Sequence, residues 1–303
     1  MFAYRLAAAA LAAACAAVST GAAFASEIKI SAEAVYAWRS VSGTDAPIIV
    51  PNASGSPIYS AAMTPIGQGT GLDIRASGGG EHLGVEARFF GGFGWSGGPT
   101  ELGAIGNVRI GSLSNFGAIA DRALISARLD TAEIDATLKV SQMLTVFAGP
   151  RWLASRDTFL NNITFPTFNA DYFMAADSSG WGPQVGFAAD LGAGATRIAL
   201  DGRAGLFFLN DETAFRLAPS TGGLLTGGAT ATHQSGFAEA GIGLTQTFGA
   251  LTLKAGYRAL YVDKVPTGAG NMANATALHS QSMPPVYGSL LVQAITAGAA
   301  LHF

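Results

Sequence analysis

Counted back from its last residue, the chain alternates. Phe303, Leu301, Ala299, Ala297 and Ile295 are apolar, whereas His302, Ala300, Gly298, Thr296 and Ala294 are small or polar. A period of two puts alternate residues on opposite faces of a β-strand. A strand of a soluble sandwich has no reason to finish on an aromatic that also carries the terminal carboxylate. An outer-membrane barrel has one: its last strand closes on its first, and a terminal aromatic anchors it at the interface. On this reading the segment 288–303 closes the barrel, and Phe303 is the C-terminal signal recognised by the outer-membrane assembly machinery.

Composition agrees with a membrane protein built from strands. Only 12% of residues are charged, against about 25% in ordinary soluble domains. Mean hydropathy is +0.34. Yet beyond the N-terminus no uninterrupted apolar run reaches the ~20 residues of a spanning helix. Strands hide the same apolarity in every second residue.

The N-terminus reads as an export signal. Arg5 precedes an apolar, alanine-rich stretch from Leu6 to Val18, and Ala23-Phe24-Ala25 has the small-x-small form of a cleavage site before Ser26. Residues 1–25 are therefore expected to be removed, leaving 26–303 as one domain. Cys15, the sole cysteine, goes with them; lipidation there is an alternative, although Ala12 stands where leucine is usual. The mature chain then has no disulfide and no thiolate chemistry. Losing Arg5 leaves 16 cations against 20 carboxylates, which is no nucleic-acid footprint.

Ten alternating segments follow. Ile28 to Ser40 sets Ile28, Ile30, Ala32, Ala34, Tyr36 and Trp38 on one face, with Lys29, Ser31, Glu33 and Arg39 on the other. Leu72–Ser77 and His82–Gly92 form a hairpin. Arg122–Val140 changes phase near Asp130-Thr131, which implies a bulge or a break. Leu144–Ser155 contains Pro150, which removes a ladder donor. Trp181–Leu191, Arg197–Phe208, Ser235–Phe248, Leu251–Val262 and the closing strand complete the set. Residues 93–120, 157–179, 209–234 and 265–286 read as loops, like 41–68. Short turns thus alternate with connections of about twenty residues, the rhythm of periplasmic turns and outer loops. The expected fold is all-β: a transmembrane antiparallel up-and-down barrel of about ten strands. Twelve are possible if 102–111 and 119–129 form an extra pair.

The expected partners are the lipid bilayer, the assembly machinery and, for an open lumen, small solutes; nucleic acid is not among them, and the sequence does not give the oligomeric state. The lumen face carries the informative residues. Arg75, Glu86, Arg88, Arg151, Asp201, Arg203, Glu239, Lys254 and Arg258 head the set. Lys29, Glu33, Arg39, Asp73, Arg128, Glu133, Asp135, Asp190 and Arg197 join them. Both signs occur in similar number. They form either an ion-pair network that fills the barrel or a charged constriction that sorts solutes. Barrel size decides between these, because about eight strands are just filled by side chains and sixteen or more leave a channel.

Catalysis has little support. His82, His233, His279 and His302 are scattered, without metal-ligand spacing. Asp211, Glu212 and His233 share one outer region, as polar loops often do by chance. No G-x-S-x-G occurs, and no glycine fingerprint opens a helix. Neither an enzyme, a metal nor a cofactor is expected.

Several stretches resemble a known group. EIDATLKVSQMLTVFAGPRWLASRD (133–157), WGPQVGFAADLG (181–192), GRAGLFFLN (202–210) and LTLKAGYRALYVDKV (251–265) are similar to motifs of predicted outer-membrane β-barrel porins, including the pore-forming Legionella-type major outer-membrane protein. The resemblance spans roughly residues 70–303. Pro150 and Asp135 depart from its pattern. It implies a porin-like channel or a narrow structural barrel in the outer membrane of a Gram-negative cell, and it brings no catalytic residues. The alternative is a non-conducting recognition or adhesion barrel acting through its outer loops. Residues 157–179, with five aromatics among Asn and Asp, are the loop such a barrel would use.

Overall fold

Every alternating segment is a strand, and each pairs antiparallel with the next. The structure, a computed structural model, describes residues 27–42, 47–51, 59–60, 67–110, 113–166, 168–192, 194–220, 224–268, 270–271 and 285–303. The expected signal peptide and Cys15 lie outside the described residues. Ten strands form the barrel: β1 (Glu27–Val41), β4 (Gly69–Gly79), β5 (Leu83–Ile110), β6 (Leu113–Lys139), β7 (Leu144–Thr164), β8 (Asn169–Leu191), β9 (Thr196–Pro219), β10 (Leu225–Phe248), β11 (Leu251–Pro266) and β12 (Tyr287–His302). Two short strands, β2 (Pro47–Pro51) and β3 (Tyr59–Ser60), extend the sheet beside β5. Strand β12 closes on β1 in the register Ala32↔Ala299 and Tyr36↔Ile295. The closure is clamped by Phe303 N–H donating to Ile28 O at 2.8 Å. Closure leaves no barrel edge, which removes the template for edge-to-edge pairing.

Three of the expected loops are strand instead. Residues 93–110 and 113–120 prolong β5 and β6 as one hairpin, in register from Phe93↔Leu129 to Ile110↔Leu113 with one further shift near Gly97. The candidate extra pair is therefore the outer part of two existing strands, and the barrel has ten. Residues 157–164 and 169–179 likewise continue β7 and β8. Most of 209–234 continues β9 and β10. Their inward positions past the barrel's middle carry few charges, so the lumen–wall contrast that marks a strand in sequence fades there. Of 265–286, residues 265–266 end β11, and Asn271 N–H donates to Thr267 O at 3.0 Å in a helical turn; 272–284 lie outside the described residues.

The phase change in β6 has a different cause from the one expected. Odd-numbered residues point inward along the whole described strand: Ala123, Ile125, Ala127 and Leu129 are buried, and so are Thr131, Glu133 and Asp135. The strand does not slip. The lumen lining changes from apolar to charged, so apolar residues move from the inner face to the outer one. The irregularity sits on the partner, where Gly91 and Gly92 of β5 oppose Asp130 between Phe90 and Phe93. Gly92 has φ of 74°, a conformation that favours glycine, and its N–H donates to Asp130 Oδ1 at 2.7 Å. One consequence is a correction: Arg128 is on the outer wall, not in the lumen. Pro150 is accommodated without a shift of register, opposite Pro183.

The outward face is zoned. Ile134, Leu138, Val185, Phe187, Ile198, Leu206, Ile242, Leu244, Leu253, Ile295 and Leu301 are exposed on it. At its outer limit Trp152, Trp181 and Phe208 stand side by side on β7, β8 and β9. One step further the same wall reads Asp130, Ala154, Ser179, Asn210 and Thr232 on five consecutive strands. On β9 the apolar zone runs from Ile198 to Phe208, the ~9–11 residues that a tilted strand needs to cross a hydrocarbon core.

Candidate functional site in the lumen

The barrel interior is built in two layers. The lower layer is ionic. Arg88 (β5) grips Asp73 (β4) with two hydrogen bonds of 2.8 Å and donates to Glu239 (β10) at 2.7 Å. Arg151 (β7) places Nη2 2.6 Å from Glu239 Oε2 and Nη1 3.5 Å from Glu133 Oε2 (β6). Arg203 (β9) reaches Glu133 at 2.9 Å, Asp201 at 2.8 Å and Glu86 at 3.2 Å. Arg258 (β11) holds Asp201 by two bonds of 2.8 and 3.0 Å and also donates to Glu239. Arg75 completes the set on Asp73 at 3.1 Å.

Five guanidinium groups thus meet five carboxylates. Each sign balances the other, as burial demands of charges taken out of water; both oxygens of Glu133 meet their guanidinium partners as ion pairs without a hydrogen bond. The forked guanidinium suits this task because it serves several oxygens at once. Arg88, Arg151, Arg203, Glu133 and Glu239 are all buried. Asp135 accepts both its bonds, at 2.9 Å, from Gln184 Nε2. Lys254 pairs with Glu33 at 3.4 Å just below.

Glycine lets the strands of the wall approach closely at this level. Gly182 lies beside Arg151 in the β7–β8 register, and a Cβ there would sit 1.5 Å from Leu206 O. No other residue lets β8 and β9 approach so closely.

The upper layer is dry. Val35, Phe90, Phe93, Trp95, Leu129, Leu153, Phe207, Leu209, Phe237, Leu260, Val262 and Val292 form one buried cluster. Phe93 stacks on Trp95 at 5.1 Å and Phe207 on Phe237 at 4.4 Å. The Trp95 indole N–H donates to Ala37 O at 3.2 Å, so the ring's one polar atom is satisfied. The layers are joined by guanidinium groups over aromatic faces: Arg88 over Phe90 at 4.9 Å and Arg151 over Phe237 at 5.0 Å. Below, Arg203 lies over Phe147 at 4.5 Å.

Above the dry layer two polar ties cross the outer barrel. Arg39 (β1) holds Asp157 (β7) with bonds of 3.0 and 3.1 Å, spanning strands that are not neighbours. The other tie centres on Asp211 (β9). It accepts from Ser178 Oγ at 2.7 Å and Tyr287 OH at 2.9 Å, and lies 2.7 Å from His233 Nδ1. The second ring nitrogen, Nε2, faces Lys264 O at 3.3 Å. Glu212, its neighbour in sequence, points to the opposite side of the wall. There the outer surface is indented by a cavity of about 740 Å³, which includes Arg128, Arg156, Asp177 and Glu212 in its lining.

All nine leading lumen residues named from the sequence therefore face the lumen, and eight of them join the ionic layer; Lys254 sits beneath it. Asp73, Glu133, Asp135 and Arg39 also point inward as expected. The aromatic layer is not among the expectations from sequence, although its signal is present: Phe90, Leu129, Leu153, Phe207 and Phe237 keep the inward parity of the charges that precede or follow them.

No family model matches the chain, and no curated protein matches it. The resemblance to the Legionella-type porin group therefore rests on the motifs alone. Solved structures do match in shape. The outer membrane protease OmpT from Escherichia coli aligns over 91% of this chain and 96% of its own, with 10% identity and a TM-score of 0.44. Neisserial surface protein A aligns over 91% and 97%, with 12% identity and a TM-score of 0.30. The Pseudomonas putida toluene transporter TodX aligns over 93% and 91%, with 10% identity and a TM-score of 0.33. Likeness at this level assigns no activity.

Proposed function

We propose that the chain is an outer-membrane barrel with a closed lumen, which works through its outer strand extensions rather than as an open pore. The observation that carries this is the doubly filled interior: a compensated ionic layer beneath a buried aromatic one. A solute would have to cross both. Among the readings open from the sequence, this favours the narrow structural barrel and surface recognition over a standing porin. Ten strands lie near the size that side chains can fill.

The outward face supports the membrane setting, since its apolar zone ends along one register line on five adjacent strands. The start of β1, the end of β12 and the short turns lie at the opposite end, the periplasmic side in barrels of this kind, with residues 1–25 as the export leader. The reading is non-enzymatic.

Purified full-length protein in planar bilayers tests the proposal. Insertion without steady current over a wide voltage range is the expected result. A stable single-channel conductance in the unmodified protein would overturn the closed lumen and restore the porin reading. Fractionation should place the protein in the outer membrane, with heat-modifiable migration.

A further inference from the structure

Beneath the ionic layer the barrel is hollow. Two cavities of about 250 and 430 Å³ lie there and share lining residues, among them Lys29, Arg75, Glu86 and Arg197. Their lining includes His82 and Gln142 at the short turns and His302 at the strand closure, so they belong to the end of the barrel where β1 begins and β12 ends. The ionic layer forms their roof. The result is a blind vestibule.

Its charge is unlike that of the chain. The whole sequence is net −3, yet the two linings together hold seven Lys and Arg against four Asp and Glu. Arg203, Arg258 and Arg75 are engaged by the carboxylates of the roof, and Lys254 by Glu33. That leaves Lys29, Lys139 and Arg197. Among the described residues none of the three forms an ion pair within 4.0 Å. The one comparable carboxylate is Asp190. Lys29 is half-buried, while Lys139 and Arg197 are exposed at the mouth, where Arg197 Nε also donates to Gly194 O at 3.4 Å; cations gathered around one concave opening raise a positive potential there and repel one another. A bound anion relieves both effects.

We propose that this vestibule is a binding site for a small multivalent anion entering from the terminal end of the barrel. The ionic layer supplies a rigid ceiling to the site, because its guanidinium groups are already engaged by its own carboxylates. The mobile ammonium groups of Lys29 and Lys139 provide point charges, and Arg197 provides a planar fork. The inference rests on the closed lumen, and the two can fail separately.

Calorimetric titration of the full-length, detergent-solubilised barrel with pyrophosphate is the test. Saturable one-to-one binding that weakens with added sodium chloride is expected. The double variant Lys29→Gln/Arg197→Gln should lose about tenfold or more in affinity, the equivalent of roughly 1.4 kcal/mol. Lys139→Gln alone should lose less, and Arg156→Gln on the outer wall should bind like the parent. Heat-modifiable migration confirms that each variant is folded. No saturable heat, or equal affinity in the double variant, would overturn the site. A bilayer current with binding retained would overturn only the closed lumen.

Discussion

Replacing Glu239 with alanine should show how dry the middle of the barrel is. Its carboxylate touches three guanidinium groups: Arg88 at 2.7 Å, Arg151 at 2.6 Å, and Arg258. Two of them keep a bidentate partner when it is gone, since Arg88 still holds Asp73 and Arg258 still holds Asp201. Arg151 does not. It retains Glu133 at 3.5 Å and Thr131 Oγ1 at 3.3 Å, and it is fully buried. Breaking a buried pair by removing one partner costs about 3–5 kcal/mol, mostly the penalty of the stranded charge. That amounts to a loss of roughly 10²–10³-fold or more in the folded ratio. Urea unfolding in phospholipid vesicles, followed by tryptophan emission and by the heat-modifiable band, measures it. Adding Arg151→Met should recover part of the loss, because the orphan is then removed; a coupling of about 2 kcal/mol is expected, within the range for residues in direct contact. A cost below about 1 kcal/mol, with the two substitutions strictly additive, would mean that water solvates the layer and that the lumen is not closed.

Three further outcomes follow from the same geometry. Phe90→Ala combined with Phe237→Ala removes two rings of the dry layer; a cost of about 3–5 kcal/mol each and a measurable rise in bilayer conductance are expected, and an unchanged, silent membrane would show that the ionic layer alone seals the barrel. Gly182→Val drives side-chain atoms into Leu206 O, so folded, heat-modifiable protein should not accumulate in the outer-membrane fraction. On the outer wall, partial burial and then Glu212 across the strand pair outweigh Arg156 and hold the Asp177 carboxyl above its ordinary range. A raised folded-state value means the ionised form is penalised, so the penalty is absent at pH 3 and complete at pH 8. Asp177→Asn should accordingly raise the unfolding temperature at pH 8 and leave it unchanged at pH 3; equal shifts at both would refute the assignment.

The fold was legible because alternation survives wherever the two faces of the wall differ. From Lys29 to Glu33, or Arg197 to Arg203, charged residues face in and apolar ones face out, and the period is plain. Higher up, the lumen itself turns apolar. Around Phe90–Trp95 and Ala123–Leu129 the inner residues are as hydrophobic as the outer ones below them, so a change of lining imitates a change of phase. That is why the sequence of β6 suggests a bulge, why alternation puts Arg128 on the wrong face, and why the strand extensions read as loops. The individual lumen charges could be placed from the sequence, but their partners could not. Arg39 and Asp157 meet across the barrel through closure alone, and no local pattern marks Asp157 as its counterpart.

The ionic layer also orders events in time. Arg88 and Arg151 lie on β5 and β7, the third and fifth strands of the barrel, while the carboxylate they share, Glu239, arrives on β10, the eighth. A chain inserted from either end would expose unmatched charge to hydrocarbon until that strand docks. The barrel is thus poorly suited to entering a bilayer as a partial sheet. Its interior is compatible with a water-filled intermediate that dries only when the late strands bring the missing counter-charges, so the last hairpins to fold decide when the membrane seals around it.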